Sequence, residues 1–442
     1  MVGSGGREQW WLVNALVDDL QRRGVIAQST EIEALARDLD QGPMTLYCGF
    51  DPTAPSLHLG NLLQILTVAR FQRAGHVPLA LVGGATGLIG DPKSSGERAL
   101  NSAEIVEQWS TRVKSQLERF FDFTGPNAAQ MVNNYDWTHE VSVLEFLRDI
   151  GKHFSVNRML DREAVAARLA DAGISFTEFS YQVLQAHDYL QLYRKYNCRL
   201  QTGGSDQWGN ITAGTDLIRR VERVSVHALT TPLVTKSDGT KFGKTESGTI
   251  WLDPVMTTPY AFYQFWLNSD DRDVMTYARL YSSGDAHLLT QWQEATADQP
   301  HQRAAQLGLA TEMTTLVHGA QATEAVQTAS RALFGHADIG DVPLDTLAAA
   351  LSEVPGAQVS AAEITDGLLP SIVELLSRSE LVAGRGAARR TINEGGAYVN
   401  NQRITDDTWQ PRVADLLGGR FLVLRRGKRT IAGVEVVADQ PA

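Results

Sequence analysis

Residues 44–91 run "MTLYCGF", then "SLHLGNLLQILTVARFQRAG", then "HVPLALVGGATG". Two short strand-like runs separated by a long helical one make a βαβ unit. Strands joined by a crossover helix lie parallel in one sheet. Such a sheet places its ligands at the C-terminal ends of its strands, where the chain turns into the next helix. Here that turn is "YCGFDPTAPSLHLGN", Tyr47 to Asn61, with two prolines and a histidine. Exposed N–H groups at a helix start attract anions, yet the G-x-G-x-x-G pattern of a dinucleotide turn is absent from it. Whatever the turn holds, it does not use the usual glycine cradle.

A second strand, glycine-rich turn and helix follow in "CRLQTGGSDQWGNITAGTDLIRR", after a mainly helical stretch from about 102 to 200. This is the second half of an α/β domain. Beyond the turn-rich "TTPLVTKSDGTKFGKTESGTIWLD" the pattern is helical from about 258 to 335. From 336 to 365 it is rich in Ala, Gly, Asp and Pro, which suggests a linker. The last unit opens on the helical "LLPSIVELLSRSEL"; "EGGAYVNNQRI" has the form of a hairpin, and "GRFLVLRRGKRTIAGVEV" alternates like strands about Gly427.

Charge separates this last unit from the rest. The chain carries a net −11, but residues 385–429 hold ten Arg and Lys against four acids, leaving that stretch at +6 and the remainder at −17. A basic module on an acidic body favours a nucleic-acid partner for the module alone. No run approaches the roughly 18 apolar residues of a membrane span. The first residues lack the pattern of a secretory signal. Two cysteines, Cys48 and Cys198, are too few for a disulfide framework or a zinc site unaided. These features lead to the expectation of a cytoplasmic protein without a membrane segment.

Taken one at a time, the chemical motifs are ambiguous. His58 at a helix start serves as well for capping as for chemistry. "KFGKT", Lys241 to Thr245, fits a solvated loop or a mobile one that brings two cations to a polyphosphate. In "FSYQVLQAHDYLQL", Tyr181, Gln185 and Asp188 fall on one helical stripe. Between Glu178 and Arg194 there is no Lys, Arg or Glu of the kind a water-facing stripe usually carries. That leaves either a polar surface or a pocket built from a phenol, an amide and a carboxylate. "GGATGLIGDP" and "GGSDQWGN" are equally open between tight turns and binding loops.

Together the motifs resemble the class I aminoacyl-tRNA synthetases, with "HLGN" in the place of one signature and "KFGKT" in that of the other. The ordered set "YCGFDPTAPSLHLGN", "VGGATGLIGDP", "FSYQVLQAHDYLQL", "GGSDQWGNI" and "DGTKFGKTESGTIWLD" is similar to the bacterial tyrosyl-tRNA synthetases from about Leu12 onward. The resemblance implies a Rossmann-like α/β parallel-sheet catalytic domain with a helical insertion over 1–235 and a mobile signature loop over 236–257. An α-helical anticodon-side domain over 258–335, a linker over 336–365 and a small α+β RNA-binding domain over 366–442 complete it.

The same resemblance assigns the site. Thr53 and His58 donate to the ATP polyphosphate, and Lys241, Lys244 and Thr245 complete the catalytic set. Tyr181 and Gln185 bind the α-ammonium of L-tyrosine, Asp188 and Tyr47 its phenolic hydroxyl, and Thr86, Asp91 and Gln207 the rest of the amino acid. Gly49, Asp51, Gly60, Asn61, Gly204 and Asp206 lie with ATP, and Asn61 stands where the family has a second histidine. Arg219 and Arg220 fall to the tRNA acceptor stem, and Arg385, Arg389, Arg390, Lys428 and Arg429 to tRNA phosphates. The implied activity is tyrosine–tRNA ligation in a homodimer, with ATP as substrate accompanied by Mg2+ and with no protein-bound metal. Lys93 and Arg98 follow Asp91 in a shorter, less basic stretch than many relatives carry, and receive no role. A small-molecule adenylyltransferase and a catalytically silent RNA-binding factor are the rival classes. The first has no need of the basic C-terminal unit, and the second has no need of His58, Lys241 and Lys244.

Overall fold

The computed structural model describes residues 14–91, 101–160, 165, 166, 169, 173–245, 248–335, 337–427 and 430–438. Lys93, Arg98, Lys428 and Arg429 lie outside the described residues. Two compact units divide the chain. One takes the residues up to Met256 together with Asp270–Glu294, and the other takes Thr257–Ser269 and everything from Ala295 onward.

The first unit is built on six strands: β1 (Gln28–Ser29), β2 (Thr45–Phe50), β3 (Val77–Val82), β4 (Gln130–Asn133), β5 (Cys198–Gly204) and β6 (His227–Thr231). Their order across the sheet is β1-β6-β5-β2-β3-β4. Only β1 runs antiparallel to its neighbour; the other pairings are parallel, as the crossover helix between β2 and β3 requires. That helix, Leu59–Arg73, buries Leu59, Leu62, Leu63, Ile65, Leu66, Val68 and Phe71. Each such side chain contributes about 1.5–3 kcal/mol relative to exposure. Helix Phe176–Tyr196, which packs on β5, starts at Ser175, whose hydroxyl accepts the Glu178 N–H, and stops at Asn197 in the left-handed conformation. Asn tolerates that conformation and so turns the chain straight into β5. This helix shows no water-facing stripe, since Tyr181, Val183, Ala186, Asp188 and Leu190 are all buried.

The second unit joins packed helices to a sheet. Pro259–Leu267, Ala304–His318, Ala320–Leu333 and Leu344–Ser352 pack on one another. After the short hairpin strands β7 (Lys244–Thr245) and β8 (Gly248–Thr249) of the first unit come β9 (Gly356–Ser360), β10 (Ala397–Val399), β11 (Gln402–Ile404), β12 (Phe421–Arg426) and β13 (Thr430–Val437). They form a sheet in the order β11-β10-β12-β13-β9. Its core includes Val359, Leu369, Ile372, Leu376, Ile392, Leu422, Leu424 and Val434. The hairpin expected in "EGGAYVNNQRI" is β10–β11, turning at Asn400 and Asn401, both at positive φ.

Two expectations need correction. The supposed linker at 336–365 contains helix Leu344–Ser352 and strand β9, which pairs in parallel with β13 from Gly356↔Gly433 to Ser360↔Val437. An alanine-rich helix reads as low complexity, and the partner of β9 lies far along the chain, so local pattern hides both. The helical stretch 258–335 is also not one unit. Helix Asp271–Tyr281 packs in the first unit, where Arg70 donates to the carbonyls of Leu280 and Ser282, and Arg23 to those of Ser282 and Gly284.

Candidate active site

At the end of β2, His58 caps the helix that begins at Leu59. Its Nδ1 accepts the Gly60 N–H at 3.0 Å, and Asn61 Oδ1 accepts the His58 N–H at 3.0 Å. The first bond fixes the tautomer, leaving the imidazole proton on Nε2 as a donor to whatever lies beyond the helix start. Burial, together with the charge of Lys244, lowers the His58 pKa and keeps the ring neutral near pH 7. Gly60 is required by this cap, because a Cβ there would stand 2.8 Å from His58 Cε1. Thr53 is exposed on the turn just before.

The "KFGKT" segment lies across this helix start. Leu59 N–H donates to Ile250 O, Leu252 N–H to Leu57 O and Ile250 N–H to Gly243 O, so turn and signature loop are tied by backbone bonds. Gly243, at φ +79°, passes so close that a Cβ would meet Leu59 Cβ at 3.1 Å. Phe242 is buried, while Lys241 and Lys244 on either side of it are exposed; Thr245 follows in β7. The loop therefore has an apolar root and two solvated cations, of which Lys244 is close enough for its charge to act on the His58 imidazole.

Behind the turn is a connected set of buried polar groups. Tyr181 O–H donates to Asp51 Oδ2 at 2.6 Å, and Thr86 O–H donates to Asp51 Oδ1 at 2.6 Å. Asn134 Nδ2 donates both to Thr86 Oγ1 and to Asp188 Oδ2, each at 2.9 Å, and Trp137 Nε1 donates to Asp188 Oδ1 at 2.8 Å. A Cβ on Gly83 would overlap Asp51 Oδ1 at 1.9 Å, so glycine in "VGGATG" permits the meeting of Asp51 and Thr86. Asp51, assigned to ATP by resemblance, has its carboxylate engaged by two residues of the amino-acid set.

Burial raises the Asp188 pKa to about 7 against the lowering effect of the Asn134 and Trp137 donors, and the charge of Asp51 raises it further. Tyr47 sits beside it on β2, and burial followed by the Asp188 charge pushes its phenol well up. The Tyr47 hydroxyl is buried and makes no hydrogen bond among the described residues. Gln201, paired in register with Tyr47 across β2 and β5, likewise buries an unpartnered Oε1. Unpartnered buried polar atoms are uncommon and mark places where a ligand's polar groups fit.

A second cluster holds Asp91, which accepts from Gln207 Nε2 at 2.8 Å and from Asn210 Nδ2 at 3.0 Å. Burial raises the Asp91 pKa to about 6; Gln207 opposes the shift and Asp51 adds to it. Gly204 ends β5, and a Cβ there would meet Asp206 Oδ1 at 2.4 Å, so the exposed Asp206 folds back over the turn. Gln185 is half-buried on the same helix as Tyr181 and Asp188, and Gly49 is exposed on β2.

Asn134, Trp137, Gln201 and Asn210 were not singled out from the sequence. A signal existed for the first two: "VNNYDW" puts consecutive asparagines at the C-terminal end of β4, where parallel sheets hold ligands. Gln201 gives no such sign, since only its register with Tyr47 marks it.

Comparison with known proteins decides the family. The model for class I tRNA synthetases (W and Y) matches residues 39–335, and that for the tyrosine–tRNA ligase SYY-like C-terminal domain matches 346–432. The tyrosine–tRNA ligase of Streptomyces avermitilis is 59% identical across 95% of this chain and 99% of its own. That of Mycobacterium tuberculosis is 56% identical across 95% and 98%. The chain belongs to the tyrosine–tRNA ligase family. Among solved structures, a C-terminally truncated mitochondrial tyrosyl-tRNA synthetase of Aspergillus nidulans superposes with a TM-score of 0.65 at 29% identity, covering 72% of this chain and 93% of that one. The α/β fold with a C-terminal α+β domain is thus that of class I synthetases.

The arginines of the expected RNA surface are less free than their exposure suggests. Arg219 donates to Asp216 Oδ1 at 2.9 Å and Arg220 to His153 O at 2.7 Å. Arg385 pairs with Glu374, and Arg389 stands 3.6 Å from Asp407. Arg390 and Arg426 are exposed in the same module. Exposed pairs of this kind are worth about 0–1 kcal/mol, so an incoming phosphate can displace them.

Proposed function

We infer that this chain is a tyrosine–tRNA ligase that activates L-tyrosine with ATP and then transfers it to the 3′ end of tRNA(Tyr). The observation that carries the amino-acid choice is the buried Tyr47 hydroxyl beside Asp188. A phenol entering there donates to the carboxylate and accepts from Tyr47; phenylalanine leaves the Tyr47 hydroxyl unpaired, which costs about 1–3 kcal/mol for a buried group, and gives Asp188 no donor beyond Asn134 and Trp137. Asn134 and Trp137 hold the Asp188 carboxylate in place for this bond. The α-ammonium falls to Tyr181 and Gln185, with Asp91 as counter-charge oriented by Gln207 and Asn210.

No side chain acts as nucleophile in the first step. The tyrosine carboxylate attacks the ATP α-phosphorus in line, the bond to the β-phosphate oxygen breaks, and pyrophosphate leaves with the electron pair. Charge develops on the leaving group, where Thr53, the His58 Nε2–H, Lys241 and Lys244 stabilise it. Mg2+ enters with ATP as part of the substrate. In the second step a ribose hydroxyl of the tRNA attacks the adenylate carbonyl, and AMP departs.

A homodimer is supported by exposed apolar side chains at Val143, Leu144, Leu147, Val156 and Phe176, between 52% and 80% accessible. A reducing, cytoplasmic setting is supported by Cys48 and Cys198, both buried and unpaired. No described helix is long and apolar enough to cross a membrane. The test is tyrosine-dependent ATP–pyrophosphate exchange followed by tyrosine transfer to tRNA. Arg390→Glu with Arg426→Glu should leave exchange intact and reduce transfer about tenfold or more, through phosphate contacts. Absence of tyrosine-dependent exchange overturns the whole reading, and full transfer by the double variant overturns the RNA assignment.

A further inference from the structure

Residues 234–242 form a small hairpin that carries the root of the signature loop. Phe242 N–H donates to Val234 O, Thr235 and Lys241 bridge, and Lys236 N–H donates to Thr240 O at 2.8 Å. Its turn is closed within itself by Asp238, whose Oδ1 accepts from Thr240 N at 2.8 Å and Oγ1 at 2.6 Å, and by Gly239 at φ +83°. Exposed turns of this kind are held by little else, and mobility is their default.

This one is gripped from outside by helix Asp271–Tyr281. Asp273, in its first turn and 9% accessible, accepts the Ser237 N–H on both carboxylate oxygens at 3.1 Å and the Ser237 O–H on Oδ2 at 3.2 Å. One helical turn further, Tyr277 packs its ring 4.3 Å from Phe242, and Tyr281 lies 5.6 Å from the same ring. The Tyr281 hydroxyl donates to Leu59 O at 3.4 Å, at the start of the His58-capped helix, while Arg70 from the far end of that helix donates to Leu280 and Ser282. One helix thus touches the signature loop at two points and the other signature's helix at both ends.

We propose that Asp273 is a positioning residue for adenylate formation: it anchors the hairpin turn at Ser237 and thereby sets where Lys241 and Lys244 stand relative to His58. The inference rests on the reading of "KFGKT" as the polyphosphate loop. A buried carboxylate accepting a backbone N–H and a hydroxyl is a strong tie. Its site at a helix N-terminus, where the dipole favours negative charge, holds the anion in place. Neither Asp273 nor Ser237 is among the residues assigned to tyrosine, so the anchor acts on ATP and on the step that releases pyrophosphate.

The experiment measures pyrophosphate exchange with the full-length chain carrying Asp273→Ala, Asp273→Asn or Ser237→Ala, beside Lys244→Ala as reference. Asp273→Ala should lower kcat about tenfold and raise KM for ATP, with KM for tyrosine within about twofold of wild type, as a tie worth one decade predicts. Asp273→Asn keeps one acceptor oxygen and should recover part of the loss, and Ser237→Ala should lose least. Trypsin should cut after Lys236, Lys241 and Lys244 faster in Asp273→Ala, with cleavage elsewhere unchanged; a merely structural residue would accelerate all sites together. Should Asp273→Ala misfold, Asp273→Asn and Ser237→Ala carry the same comparison. Unchanged kcat and ATP KM in these variants, or an equal rise in tyrosine KM, overturns the inference while slow exchange by Lys244→Ala leaves the loop's role standing. Full exchange by Lys244→Ala removes the loop's role, and this inference with it.

Discussion

The two ends of the proposed active site are built on opposite principles. At the end assigned to the amino acid, Tyr47, Thr86, Asn134, Tyr181 and Asp188 are all buried, and Asp51 and Asn134 link Tyr181, Thr86 and Asp188 into one network of short hydrogen bonds beside the unpartnered Tyr47 hydroxyl. At the phosphate end, Thr53, Lys241 and Lys244 are exposed, and His58 alone is held by a cap. Discrimination between similar side chains needs polar groups that lose their partner when the wrong molecule enters, and only burial makes that loss expensive. Stabilising a polyphosphate that arrives with its own cation and leaves after each turnover needs charge that can move. On the proposed reading, the first end recognises and the second responds.

The comparison breaks most easily at Asp188. Asp188→Asn keeps the shape but turns an amide N–H toward one of two fixed donors, so kcat/KM for tyrosine should fall by roughly 10²–10³. The preference over phenylalanine should shrink in parallel, as measured by exchange with each amino acid. An undiminished preference places recognition elsewhere.

A smaller effect, and of the other kind, is expected at the phosphate end. His58→Ala or Thr53→Ala should lower kcat for adenylation about 10² while KM for tyrosine stays put, the signature of contacts made chiefly in the transition state. A rise in tyrosine KM without loss of kcat would show that the two ends are not separate.

The smallest effect is on stability. The Asp188 carboxyl is raised from the ordinary 3.8 to about 7 in the folded protein. Between about pH 4 and pH 7 the folded state therefore keeps a proton that the unfolded chain has released, and stability from this group falls as pH rises through that window. Asp91, raised to about 6, adds the same sign over a narrower range. Asp188→Asn should flatten the decline of Tm between pH 4 and 7 by roughly 2–4 °C, read by thermal melts at low ligand. Parallel melting curves would show that Asp188 stays ionised throughout.

Much of the local structure of the candidate site was legible because its motifs are contiguous. The strand, proline-bearing turn and capped helix around His58 follow from local rules, and Gly60 and Gly243 stand where close approach admits no Cβ. The stripe Tyr181, Gln185 and Asp188 follows from helical spacing, and the lack of long charged residues around it goes with a helix face that is buried at Tyr181 and Asp188 rather than solvated. The hairpin at Asn400 and Asn401 follows from residues that accept positive φ.

What only the tertiary structure decided depends on partners distant in sequence. Asn134 and Trp137 acquire meaning from Asp188, fifty-odd residues on, and Gln201 from its register with Tyr47. Strand β9 exists because β13 offers it hydrogen bonds, which is why its stretch reads as a linker. Helix Asp271–Tyr281 joins the first unit because Arg23 and Arg70 satisfy its terminal carbonyls. Periodicity and turn chemistry act over a few residues and are written in the chain. Hydrogen-bond satisfaction of buried groups is a constraint on the whole fold, and it is settled only when distant segments meet.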